Sequence, residues 1–156
     1  MLRLLWISAV IIVLDQVTKY WASADLAYLI PVEILPFFNL TLAHNTGAAF
    51  NFLSDAGGWQ RWFFIVLAVI VSGVLIQWVR KLNESEKVEA IGLVLIIGGA
   101  LGNVWDRMAH GYVVDFIQLH YAGYYFPTFN IADMAISIGA VLLIIESFRA
   151  AKKEKA

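Results

Sequence analysis

Two aspartates stand in segments that otherwise look made for lipid. Asp115 lies in GYVVDFIQL, between valines, a phenylalanine and an isoleucine. Asp133 heads FNIADMAISIGAVLLIIESF, with twelve uncharged residues, Met134 to Ile145, behind it. Asn130 puts polar atoms into the same region, three residues before Asp133. Two close carboxylates cannot both ionise cheaply, so they share one proton. The charged one can take a proton from water while the protonated one polarises a carbonyl. A lone Asp is more often a helix N-cap or an interfacial charge, and Asp133 suits the positive end of a helix dipole. A separation of eighteen residues permits proximity without requiring it. There is no cysteine, which removes disulfides, thiolate metal sites and cysteine nucleophiles. The three histidines, His44, His110 and His120, are scattered, which speaks against a metal cluster; no metal or organic cofactor is implied.

Other polar residues interrupt apolar stretches, where ionisable groups are costly and suggest function. In LDQVTKYW, Asp15 and Lys19 are four apart and share a helix face. They are read either as a structural ion pair or as a substrate or headgroup contact. In GGALGNVWDRMAHG, Gly98 and Gly102 allow close helix packing. Asn103 and Arg107 share one face, with Asp106 beside Arg107. Arg107 suits a carboxylate, a carbonyl or a phosphate, or it snorkels to the interface.

The elements that must position these groups follow from composition. The chain has 156 residues, 61% hydrophobic and 15% charged, with mean hydropathy +0.75. A soluble domain has about 45–50% apolar and about 25% charged residues. So short a chain cannot bury that excess alone, and lipid must cover part of it. A crossing helix needs about 20 mainly apolar residues, and four stretches come close: 4–22, 62–79, 88–105 and 131–148. The first has a rival reading as a cleavable signal peptide, with Arg3, an apolar core from Leu4 to Leu14 and ASA at 22–24. Asp15 and Lys19, between that core and the supposed cleavage site, speak against it. Arg3, Arg80, Lys81, Lys87, Arg149, Lys152, Lys153 and Lys155 fall on one side, while 23–60 and 108–130 hold no Lys or Arg. Both termini are therefore expected in the cytoplasm and the two long loops outside. In FFNLTLAHNTGAAFNF, alternation from Phe38 to Ala43 suits a short strand, and Asn45-Thr46-Gly47 suits a turn. The loops are expected to roof a cavity between the helices. A net charge of −1 gives no reason to expect nucleic acid. From these residues a membrane enzyme leads a proton-coupled carrier and a non-catalytic assembly factor. The absence of an internal repeat counts against the carrier.

Four blocks in order, LDQVTK (14–19), HNTGAAFNF (44–52), GGALGNVWDRMAHGYVVDFI (98–117) and FNIADMAISIG (129–139), closely resemble the lipoprotein signal peptidase (signal peptidase II) family from end to end. The resemblance implies a single integral membrane domain over 1–156. Its fold would be a membrane all-α bundle of four transmembrane helices, with a periplasmic β-cradle over about 26–56 and a lid helix or loop over about 110–128. It implies an aspartyl endopeptidase of the bacterial cytoplasmic (inner) membrane. That enzyme cuts diacylglyceryl-modified prolipoproteins just before the lipidated cysteine, and cyclic peptides such as globomycin inhibit it. Asp115 and Asp133 match its catalytic dyad. Asp15, Lys19, Asn45, Gly47, Asn103, Arg107 and Asn130 match its supporting positions. Asn45 and Arg107 are expected to contact substrate carbonyls, and Asn103 and Asn130 to orient the carboxylates. Tyr124, Tyr125 and Phe126 are expected to exclude water and move with substrate entry. The expected partners are lipidated substrates and membrane lipids, met by a monomer. His44, Asn51, Trp105 and Met134 depart from the family in ways that bear on substrate preference only.

Overall fold

A computed structural model describes residues 1–47 and 57–154, with side chains as far as 149. Four helices dominate: α1 (Leu5–Asp25), α2 (Trp59–Lys81), α3 (Lys87–Ala109) and α4 (Ile131–Glu154). Between them run four strands: β1 (Val32–Leu35) and β2 (Phe38–Asn45) after α1, β3 (Val113–Tyr121) and β4 (Tyr124–Tyr125) after α3. The strands form one antiparallel sheet in the order β1-β2-β3-β4.

Among the described residues, three helical segments are long and apolar enough to cross a membrane: Trp59–Lys81, Glu84–Ala109 and Ile131–Arg149. The first and third leave most of their surface uncovered, with only 17% of their most apolar stretch buried, against 56% for the segment that contains α3. Val66, Ile70 and Val74 on α2, and Ile138, Val141 and Ile144 on α4, are exposed. Lipid is the solvent that suits such faces. α1 is of spanning length at 21 residues, but Asp15, Gln16 and Lys19 interrupt it.

α3 is the axis of the bundle, and its glycines let its neighbours in. A methyl on Gly98 would stand 2.9 Å from the Ser8 Cα of α1. One on Gly99 would run into the Ala132 carbonyl of α4. Ser8 Oγ uses the short approach to donate to the Val94 carbonyl at 2.6 Å. At the end of the bundle near the chain termini, Leu4, Val79, Ala90, Leu93, Val94 and Ile97 form an apolar core.

The segment 110–128, expected as a lid helix or loop, is instead mostly sheet. Val113–Tyr121 pairs with β2 along its length. Its return strand β4 follows a two-residue turn in which Ala122 and Gly123 both have positive φ, 49° and 84°. That is the turn whose twist matches a hairpin. Of the cradle expected over 26–56, β1 and β2 are present, while 48–56, with Asn51, lies outside the described residues. In β2 the expected alternation holds, but up to Thr41 its polar side is the buried one. Asn39 and Thr41 are buried and share Gln118 Oε1, at 3.3 and 3.0 Å. The register then slips between Leu40 and Ala43.

Candidate active site

Asp115 and Asn45 reach one another because the sheet sets them on one face. Ala43 opposes Asp115 and Asn45 opposes Val113, so Asn45 and Asp115 are diagonal neighbours. Asn45 Nδ2 lies 3.3 Å from Asp115 Oδ2. The Asn45 side-chain oxygen accepts the Gly47 N–H at 3.0 Å, closing the expected turn. Asp115 is 1% exposed, at the wall of a cavity of about 320 Å³ that Tyr28, Thr41, His44 and Gln118 also line. Burial, then the nearby Asp133, pushes its carboxyl up to about 7, against the pull of Asn45, Asn130 and Lys19.

Asp133 arrives by a different route. Asn130 precedes α4 and caps it. Asn130 Oδ1 accepts the Asp133 N–H at 2.9 Å, and Asp133 Oδ2 accepts the Asn130 N–H at 3.3 Å. This reciprocal capping pair fixes Asp133 in the first turn, where the helix dipole favours negative charge. The N-cap expectation and the acid–base expectation thus meet in one residue. Asn130 Nδ2 also donates to Asp115 Oδ1 at 2.7 Å, so this buried asparagine touches both aspartates. Asn103 Nδ2 donates to the other Asp133 oxygen at 2.8 Å.

The remaining expected residues surround this pair. Lys19 Nζ donates to Asn103 Oδ1 at 2.9 Å and lies 2.7 Å from Asp15 Oδ2. Asp15 Oδ1 accepts the Ala132 N–H at 2.9 Å, one of the amides a helix start leaves without a partner. The ion-pair reading of Asp15 and Lys19 therefore describes their contacts. Arg107 is buried, not snorkelling. It donates to the Gly47 carbonyl at 2.6 Å, and its guanidinium lies 5.1 Å from the Phe64 ring centre. Tyr124, Tyr125 and Phe126 are exposed at the β3–β4 hairpin, around an apolar cavity with Phe37 and Leu119.

Two residues of this network were not among the expected set. Asp106 Oδ2 lies 2.9 Å from Lys19 Nζ and accepts the Val114 N–H at 3.0 Å. Gln16 Nε2 donates to Asp106 Oδ1 at 2.8 Å. The signal for Asp106 was its place three residues after Asn103, on the same helix face. Among the described residues, no three His, Cys, Asp or Glu side chains are grouped to hold a metal ion.

Comparison with known proteins accords with this arrangement. The family model described as Signal peptidase (SPase) II matches residues 7–149. A lipoprotein signal peptidase of Alteromonas mediterranea is 50% identical over 153 residues, 98% of this chain and 84% of its own length. One from Hydrogenovibrio crunogenus is 53% identical over 143 residues, 92% of this chain and 83% of its own. A bacterial membrane enzyme solved by the in meso method at 2.3 Å resolution superposes with a TM-score of 0.86 at 34% identity, covering 95% of this chain and 88% of that one. A second, solved at 1.9 Å, gives 0.78 at 36% identity, covering 90% and 89%. The carrier and assembly-factor readings give way: this chain belongs to the signal peptidase II family of peptidases.

Proposed function

We propose that the protein is an intramembrane aspartyl endopeptidase that removes the signal peptide from diacylglyceryl-modified prolipoproteins, cutting just before the lipidated cysteine. The observation that carries the aspartyl mechanism is Asn130, whose side-chain amide holds Asp115 while its backbone N–H holds Asp133. The substrate class follows from the lipoprotein signal peptidases that the chain resembles.

The pair shares one proton: burial and the neighbouring Asp133 push the Asp115 carboxyl up to about 7, while the N-terminus of α4, with the Asn130 N–H and the Asn103 amide, favours the charged form at Asp133. The charge is left on Asp133, at the head of α4. Asp133 takes a proton from water, and the oxygen attacks the scissile carbonyl carbon. Asp115 donates its proton to the carbonyl oxygen. The tetrahedral intermediate then collapses as a proton passes to the leaving amide nitrogen and the C–N bond breaks. Holding the lipidated cysteine at this level supplies positioning, which contributes much of the rate. Asn45 and Arg107 contact substrate carbonyls. The Arg107 guanidinium has donors to spare for this, and its Nε–H is buried without an acceptor among the described residues. Tyr124, Tyr125 and Phe126 border the entry. α1 crosses the membrane as a fourth span, with Asp15 and Lys19 turned inward to α3 and α4. By the distribution of Lys and Arg, both termini lie in the cytoplasm and the dyad near the outer face of the inner membrane. Globomycin-type cyclic peptides occupy the same site, and the working unit is a monomer.

The test is cleavage of a lipidated prolipoprotein by the purified protein in detergent. Wild type removes the signal peptide, and Asp115→Asn and Asp133→Asn each abolish removal while folding and inserting normally. Near-normal turnover in either variant takes that residue out of the mechanism.

A further inference from the structure

Behind the two aspartates lies a set of buried charges that the chemistry above does not consume. Asp106 Oδ2 accepts the main-chain N–H of Val114, the residue before Asp115, at 3.0 Å. Asp15 Oδ1 accepts the main-chain N–H of Ala132, the residue before Asp133, at 2.9 Å. The two supports mirror each other, and one ammonium joins them. Lys19 Nζ is 2.7 Å from Asp15 Oδ2 and 2.9 Å from Asp106 Oδ2. Its third proton goes to Asn103 Oδ1 at 2.9 Å, so all three donors of the group are used. Gln16 Nε2 adds bonds to Asp106 Oδ1 at 2.8 Å and to Asp15 Oδ2 at 3.2 Å. Asp15, Lys19 and Asp106 are 0%, 3% and 1% exposed. Room for the arrangement is made at Gly102, where a methyl would stand 2.8 Å from Asp15 Oδ2.

We infer that Asp106 is a positioning residue of the catalytic pair: the Asp15–Lys19–Asp106 bridge sets the gap between β3 at Asp115 and the first turn of α4 at Asp133, through the backbone N–H that precedes each. The inference rests on the reading of Asp115 and Asp133 as that pair. Carboxylates that share a proton and a water need a fixed separation. Asn130 links them directly, while the bridge links their backbones from behind. Apolar contact resists compression but lets a strand slide. A buried carboxylate on a particular N–H resists the slide as well, because a shift leaves charge and amide both unpaired.

The experiment measures kcat and KM on a diacylglyceryl-modified prolipoprotein for wild type, Asp106→Ala and Asp106→Asn in detergent, with thermal unfolding of each. Asp115→Asn and Asp133→Asn run alongside. Asp106→Ala is expected to lower kcat roughly 100-fold, the scale of an ångström-sized misplacement, with KM held within about twofold. Asp106→Asn keeps an oxygen for the Val114 N–H and is expected to recover kcat to about threefold to tenfold below wild type. A merely structural residue would lower the folded fraction and leave kcat per folded molecule unchanged. That result in Asp106→Ala overturns the inference, as does an equal loss of kcat in both variants. If the alanine variant does not fold, the asparagine variant decides: reduced kcat at unchanged KM upholds the inference, and wild-type kcat overturns it. Turnover surviving in Asp115→Asn or Asp133→Asn overturns the dyad and this inference together. Loss in both, with kcat intact in Asp106→Ala, overturns this inference alone.

Discussion

Helix α3 is held in two different ways along its length. Its first half packs Ala90, Leu93, Val94 and Ile97 against Leu4 and Val79, with no charge in the cluster. Its second half carries Asn103, Asp106 and Arg107, all buried and all bonded to other elements. The apolar half asks its neighbours for volume, which many side chains supply. The polar half asks for donors and acceptors at set distances, and leaving one unmet costs more than the bond contributes. One helix thus anchors a tolerant bundle at one end and an intolerant site at the other.

The contrast breaks most sharply at Lys19. Lys19→Met leaves Asp15 and Asp106 as buried, uncompensated charges, an expected loss of about 3–5 kcal/mol. Because Lys19 also bonds Asn103, kcat per folded molecule should collapse too. Thermal unfolding and turnover of one preparation check both, and a variant with normal turnover would unlink the ion cluster from the dyad. Leu93→Ala, at the apolar end, should cost about 2–5 kcal/mol but leave kcat per folded molecule within about twofold. A large fall in its kcat would show that the two ends are mechanically coupled. The smallest effect is read against pH. Asp115 titrates near 7 in the fold against 3.8 for the ordinary group, so the folded state keeps a proton that the unfolded chain gives up. Its contribution is whole below pH 3.8 and is lost as pH rises through 7. Asp115→Asn has no such loss. Its unfolding midpoint should match wild type at pH 4 and exceed it at pH 8 by on the order of 5 °C. A gap that does not change with pH would mean Asp115 is ionised throughout.

The two halves are unequally legible in the amino-acid sequence. The helices were legible because lipid demands long apolar runs: 62–79, 88–105 and 131–148 were expected where Trp59–Lys81, Lys87–Ala109 and Ile131–Glu154 occur. Their ends were missed by several residues because Trp59, Gln60 and Arg61 are polar or interfacial types that still fit a helix. β2 showed its alternation. β3 did not, because VVDFI is apolar on both faces and periodicity cannot tell such a run from a lid or a buried helix. Its hairpin turn, Ala122-Gly123, carries only the glycine of the usual Asn-Gly or Asp-Gly signal, so the chain marks it weakly. Asp115, Asp133 and their asparagines stood out as polar groups in apolar surroundings. Asp106 did not, because beside Arg107 a carboxylate looks already paired. Its actual cation is Lys19, which only the folded chain brings near.

The bond from the Ala132 N–H to Asp15 spans 117 residues. A chain emerging from the ribosome therefore carries Asp15 and Lys19 long before it carries the amide that Asp15 is to accept. Until α4 has followed, the partial molecule holds one carboxylate of the proposed pair and no capped helix beneath it. On the proposed mechanism, cutting waits for α4, and the first helix is completed by a residue made more than a hundred positions later.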